Sequence, residues 1–207
     1  CKPEQRDWLI GLMEGVEDIP GTALHEGIEW DWETFPEYLD VLDNKPLAID
    51  VGTQIPHGAV RAYVMGERGI NHEPATDEEI SRMKEIVKEA IQAGAYGFTT
   101  SRTEKHSDVE GKLTPSITAH KKELVEIAKS LGELKQGVLQ GISDFYNFEE
   151  EFDIFKSMSK ESKRPISITV EQQDARPDWW HQLLDGIEEA QEEGIDMYGQ
   201  VPPRATG

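Results

Sequence analysis

The sequence predicts an α/β fold: about five βα units of a TIM (β/α)8 barrel, with parallel strands and helices outside. Three observations carry this. Helix, glycine and strand recur in that order at Ala93-Gly94-Ala95, Leu134–Gly137 and Glu193-Gly194-Ile195. Helix-length segments separate the predicted strands, and such crossovers require a mostly parallel sheet. The stretch Gly52-Thr53-Gln54-Ile55-Pro56-His57-Gly58 lacks the Gly-rich phosphate loop of an open doubly wound sheet. A closed barrel needs eight strands, in about 250 residues, so this chain makes about five-eighths of one.

The elements follow in chain order. Trp8, Leu9, Leu12 and Met13 give Gln5–Met13 a helical period, and Gly15–Gly27 reads as a loop. Phe35, Tyr38, Leu39 and Leu42 form one face of a second helix, Phe35–Leu42. Residues 1–46 are thus expected to form a helical and loop segment packing on the barrel, which occupies residues 47–207. Leu47, Ile49 and Val51 alternate with Ala48, Asp50 and Gly52, and predict the first, buried strand. Pro56-His57-Gly58 ends it, and a helix begins near Ala59. Thr76 with Glu79 forms a capping box that starts a helix over Asp77–Ala93, ended by Gly94. Ala95–Ser101 is the second strand. The polar segment Arg102–Pro115 is long enough to be a functional or mobile loop. Helix Lys121–Leu134, strand Gly137–Ser143, a helix marked by Phe148, Phe152, Phe155 and Met158, strand Ile166–Glu171, helix Asp178–Glu193 and strand Ile195–Val201 complete the series.

The formal net charge of −20 argues against nucleic acid and anionic membranes as partners. No run of about 18 apolar residues is present, so no membrane-spanning helix is expected. A single cysteine fits a reducing, cytoplasmic setting. The start, Cys1-Lys2-Pro3, lacks both an initiator methionine and the apolar core of a signal peptide, and reads as an internal start.

Reactive residues of a parallel barrel lie just past the C-terminal strand ends. Those positions hold His57; Ser101, Arg102 and His106; Ser143 and Asp144; Glu171, Gln172, Gln173 and Asp174; and Arg204. His57 suits a general acid/base, a metal ligand or a hydrogen-bonded structural histidine. Arg102 and Arg204 suit carboxylate clamps or loop-pinning roles. HxH, HExxH, a cysteine pair and a Gly-x-Ser-x-Gly elbow are all missing. Residue patterns alone therefore give a site face without a reaction.

The runs GLMEGVEDIPGTALHEGIEWDWETFPEYLD, LAIDVGTQIPHGAVRAYVMG, ATDEEISRMKEIVKEAIQAGAYGFTTSRT and QVPPRATG together resemble the N-acyl-D-amino-acid deacylase (D-aminoacylase) group of the amidohydrolase superfamily. That resemblance implies a metal-dependent hydrolase with a TIM-barrel catalytic domain, cleaving N-acyl-D-amino acids with a metal-activated water. It implies zinc or another divalent metal in a full-length parent. The family's HxH and Asn-Cys-Gly would precede Cys1, and its last-strand aspartate would follow Gly207. Where two further histidines belong, this chain has Gln140-Gly141-Ile142-Ser143 and Thr169-Val170-Glu171-Gln172. No metal ligand is therefore expected in this piece, which should be inactive alone. His57 matches a histidine of the family's loop, and Ser101-Arg102-Thr103 a segment lining the site. The expected site is His57 orienting substrate or acting as acid/base, with Ser101, Arg102, Gln140, Glu171 and Arg204 binding it. Expected partners are an N-acyl amino acid and either a second copy or the missing barrel parts. The alternative is a non-catalytic barrel piece serving as a binding or assembly module.

Overall fold

The structure is a computed structural model describing residues 2–202. After a short turn at Pro3–Gln5 come three helices: α1 (Arg6–Glu17), α2 (Gly21–Gly27) and α3 (Phe35–Asp43). The βα series is β1 (Ile55–Pro56), α4 (His57–Met65), α5 (Glu67–Ile70), α6 (Asp77–Ala93), β2 (Gly97–Arg102), α7 (Lys121–Leu134), β3 (Val138–Ser143), α8 (Phe148–Ser162), β4 (Ile166–Thr169), α9 (Trp179–Glu192) and β5 (Met197–Gln200).

The five strands form one parallel sheet in the order β1-β2-β3-β4-β5, the partial barrel that the alternation predicts. Successive strand residues face opposite ways, and register turns this into two rows. Ile55, Phe98, Leu139, Ile166 and Met197 lie side by side and are buried under the helices. Burying each contributes about 1.5–3 kcal/mol. The next row, Thr99, Gln140, Ser167 and Tyr198, faces the barrel interior and is mostly polar.

The helices close the outer layer. Thr76 Oγ1 accepts from the Glu79 N–H at 3.2 Å, while Glu79 Oε2 accepts from the Thr76 N–H at 2.8 Å. The stripe Ile80, Met83, Val87, Ala90 and Ile91 then buries against the sheet. Gly94 takes φ 119°, which lets the chain leave α6 and enter β2 directly.

Two expected elements differ. Leu47–Gly52 is not a strand: Leu47, Ile49 and Val51 are exposed. The neighbouring strand explains this, because β2 begins at Gly97, one residue before the partner of Ile55, and its ladder reaches back only to the Tyr96 N–H donating to the Thr53 carbonyl. The chain before Thr53 has overrun its partner, and alternation without a partner makes no strand. Gly15–Gly27 is not all loop either. α1 continues to Glu17, and Pro20 is the residue before α2, which begins at Gly21 and buries Leu24.

The Arg102–Pro115 segment folds back on itself through a bridge between Ser107 and Leu113. Asp108 Oδ1 accepts the Glu110 and Lys112 N–H groups at 3.0 and 2.8 Å. Helix α1 lies directly on this segment. A Cβ at Gly15 would sit 2.2 Å from the Ser107 carbonyl oxygen, so only glycine permits the approach.

Candidate functional site

The C-terminal ends of β1 and β2 open into a cavity of about 590 Å³ beneath α1. Gln54, Thr99, Ser101, His106, Thr114 and Ser116 give it one polar region, while α1 and α3 give it apolar walls. Ser101 leaves β2 with its hydroxyl 2.7 Å from His106 Nδ1. The Ser116 hydroxyl donates to the Ser101 carbonyl at 2.7 Å, which fixes the strand end.

Beneath that floor is a buried charged cluster. His57 begins α4, and Arg61 lies one turn later on the same face; both are fully buried, and Glu123 in the first turn of α7 nearly so. His57 Nε2 is 2.8 Å from Glu123 Oε1, and Nδ1 is 2.9 Å from Thr100 Oγ1. A carboxylate only accepts, so Nε2–H donates to Glu123 and the Thr100 hydroxyl donates to Nδ1. Arg61 Nε stands 2.7 Å from the same Glu123 oxygen. That contact is an ion pair and not an aligned hydrogen bond, and Glu123 Oε2 accepts none. Arg61 also donates to the carbonyls of Pro115 and Glu73, tying α4 to both loops.

Burial holds the His57 pKa below its ordinary 6.5, against the opposing pull of Glu123. Burial works to raise Glu123, but His57 and Arg61 outweigh it and hold the carboxyl below 4.5. The site is therefore a neutral histidine against an Arg–Glu pair. An unfolded His57 takes a proton near 6.5 while the folded one does not, so its contribution is complete above that pH and lost as pH falls through the folded value. Melting temperature is expected to hold from pH 8 to 7, then fall toward pH 5. His57→Gln should flatten that part and leave the Glu123 loss below 4.5. A wild-type melting temperature constant between pH 7 and 5 would contradict this.

The other expected residues divide. Arg102 forms a carboxylate clamp, but with Glu151 of α8: Nε and Nη2 each lie 2.7 Å from its oxygens, and Nη1 donates to the Ala119 carbonyl at 2.8 Å. Ser143 donates to the same Glu151 at 2.9 Å. Asp144 accepts from the Thr103 hydroxyl and the Glu104 N–H at 2.6 and 2.7 Å, and so holds the start of the long loop. Gln140 faces the barrel interior, accepting from Gln54 Nε2 at 2.6 Å and donating to Gln200 Oε1 at 3.2 Å. Glu171 pairs with Lys105 across the mouth. Arg204 lies outside the described residues.

Arg61, Glu123 and Thr100 were missed from sequence. The signal was present for two of them. His57, Arg61 and Met65 follow at four-residue steps, and Glu123 precedes Ile127 by four, which puts both charges on apolar helix faces.

A family model described as Amidohydrolase family matches residues 1–205. D-aminoacylase of Alcaligenes xylosoxydans xylosoxydans is 31% identical over 123 residues, covering 59% of this chain and 23% of that protein. N-acyl-D-aspartate deacylase of the same organism is 37% identical over 67 residues, 32% of this chain and 13% of its own length. A solved structure of a D-aminoacylase mutant in complex with CuCl2 superposes with TM-score 0.69 at 22% identity, over 84% of this chain and 35% of that one. A D-aminoacylase structure concerned with a binuclear metal center gives 0.68 at 22% identity, over 83% and 34%. The chain thus spans about a quarter or less of the curated relatives it matches. A metal centre requires converging donors. Among the described residues, no group of three or more His, Cys, Asp or Glu is placed to hold one.

Proposed function

The chain belongs to the amidohydrolase family, and from that premise we propose that it is the central part of a longer hydrolase cleaving the linear amide of N-acyl amino acids, D-configured as in the relatives' names. One observation carries the reading: polar groups from two strand ends and an apolar wall share one cavity at the barrel end where this fold places its chemistry. Ser101, His106 and Gln54 supply hydrogen bonds to the substrate amide. His57, fully buried at the cavity's edge, acts in this reading through Thr100 and Glu123, fixing the β1–α4 corner that forms the cavity floor. Gln140 orders the interior, and Glu171 with Lys105 closes the mouth. Among the described residues no set of donors fits a metal, and in this reading the longer parent supplies the hydrolytic centre from its other segments.

The test is turnover by the longer parent. It should release amino acid from N-acyl-D-amino acids. Ser101→Ala should raise KM by about tenfold while changing kcat little, since one hydrogen bond to bound substrate is worth about 1–1.5 kcal/mol. A parent that turns over no N-acyl amino acid would refute the reading. The unpaired edges of β1 and β5 favour a second reading, an assembly module that recruits further strands. Concentration-dependent self-association of the chain, without amide turnover in the parent, would select it.

A further inference from the structure

We propose that the cavity under α1 is an acyl-chain site, which takes a long apolar acyl group in preference to acetyl. This rests on the hydrolase reading above and names its substrate class. The first observation concerns α1 itself. Its apolar residues Trp8, Leu9, Leu12, Met13 and Val16 fall on one helix face, yet none is fully buried; among α1 residues only Ile10 is. Such a stripe ordinarily fills a core. Here all five residues line the cavity. The helix is also held in place independently of that stripe. Gly15 abuts the Ser107 carbonyl, the Gly11 carbonyl accepts from Val109 N–H at 3.3 Å, and Gln5 Nε2 donates to the Ala62 carbonyl at 2.6 Å. The opposite wall, from Ile55, Val60, Phe35, Tyr38 and Ile86, is apolar too.

The second observation is size and continuity. About 590 Å³ is the volume of a site for a drug-sized ligand, and an acetyl group would leave most of it empty. The apolar walls run into the polar region at Ser101 and His106, where the amide is held in the reading above. The charged side chains that line the cavity are Glu17, Glu33, Glu89 and Arg82. This set is net acidic, and it disfavours a carboxylate among them. The part of the ligand that enters under α1 is therefore the uncharged acyl chain, and the amino-acid carboxylate stays outside.

The experiment titrates the 207-residue chain with N-acetyl-, N-octanoyl- and N-dodecanoyl-D-leucine, and with dodecanol. Calorimetry and the fluorescence of Trp8 and Trp32 report binding. Affinity should rise about fourfold per added methylene until the cavity is full. Leu12→Trp with Val16→Trp, which pushes two indoles into the cavity from α1, should end that rise at a shorter chain than in the wild type with the helical spectrum kept, and either single variant serves if the pair fails to fold. An affinity independent of chain length, or a rise that reaches the same chain length in a folded narrowed variant, would overturn the proposal. Dodecanol binding as tightly as N-dodecanoyl-D-leucine would keep the apolar cavity but remove the amide from it, and so separate failure of the hydrolase reading from failure of the site.

Discussion

Glu123→Ala is expected to destabilise the chain by about 3–5 kcal/mol, measured by urea unfolding at pH 7. The substitution leaves the Arg61 guanidinium fully buried without its carboxylate and removes the acceptor of His57 Nε2. The effect exceeds the net worth of the ion pair, because most of it is the penalty of a stranded charge. Replacing the pair together, Arg61→Met with Glu123→Leu, should therefore cost less than Glu123→Ala alone. The double variant does lose Arg61's bonds to the Pro115 and Glu73 carbonyls, so it should still fall short of the wild type. If the double variant were less stable than Glu123→Ala, the cluster would owe its effect to those carbonyl bonds and not to charge pairing.

Arg102→Ala is expected to cost about 2–4 kcal/mol of stability and to leave ligand affinity within about twofold. Its fork holds both Glu151 oxygens and joins the end of β2 to α8, while Ser143 brings in the end of β3. Lysine presents a point charge on a flexible stem and cannot reproduce that geometry, so Arg102→Lys should recover only part of the loss. The sequence equally suited a substrate clamp. That role makes the opposite prediction: KM of the parent rises sharply and stability stays unchanged.

The helices were legible because their signals are local. Asp77–Ala93 carries a capping box and an apolar stripe and Lys121–Leu134 an apolar stripe, and the structure places both at those bounds. The first strand was not legible, because its position depends on where β2 begins. Leu47, Ile49 and Val51 have the right alternation, but only Thr53–Pro56 runs beside a partner. The site shows the same division. Strand-end arithmetic points to Ser101, Gln140 and Arg102 alike; Ser101 lines the cavity and Gln140 meets Gln54 in the barrel interior. That Glu151, 49 residues on, meets the Arg102 guanidinium is a tertiary contact which a sequence does not show. Helical spacing would have flagged Arg61 and Glu123 as charges on apolar faces, but only the fold brings α4 and α7 together around His57.

We propose that this chain supplies the wall of an acyl-amide site and that the longer parent supplies the hydrolytic centre. Metal content and turnover, measured side by side on this chain and on the longer parent, test that proposal most directly. After incubation with zinc and desalting, the parent should retain stoichiometric metal and hydrolyse N-acyl-D-amino acids, and the 207-residue chain should do neither. Stoichiometric zinc together with amide turnover in the 207-residue chain would place the hydrolytic centre in this chain itself and contradict that division.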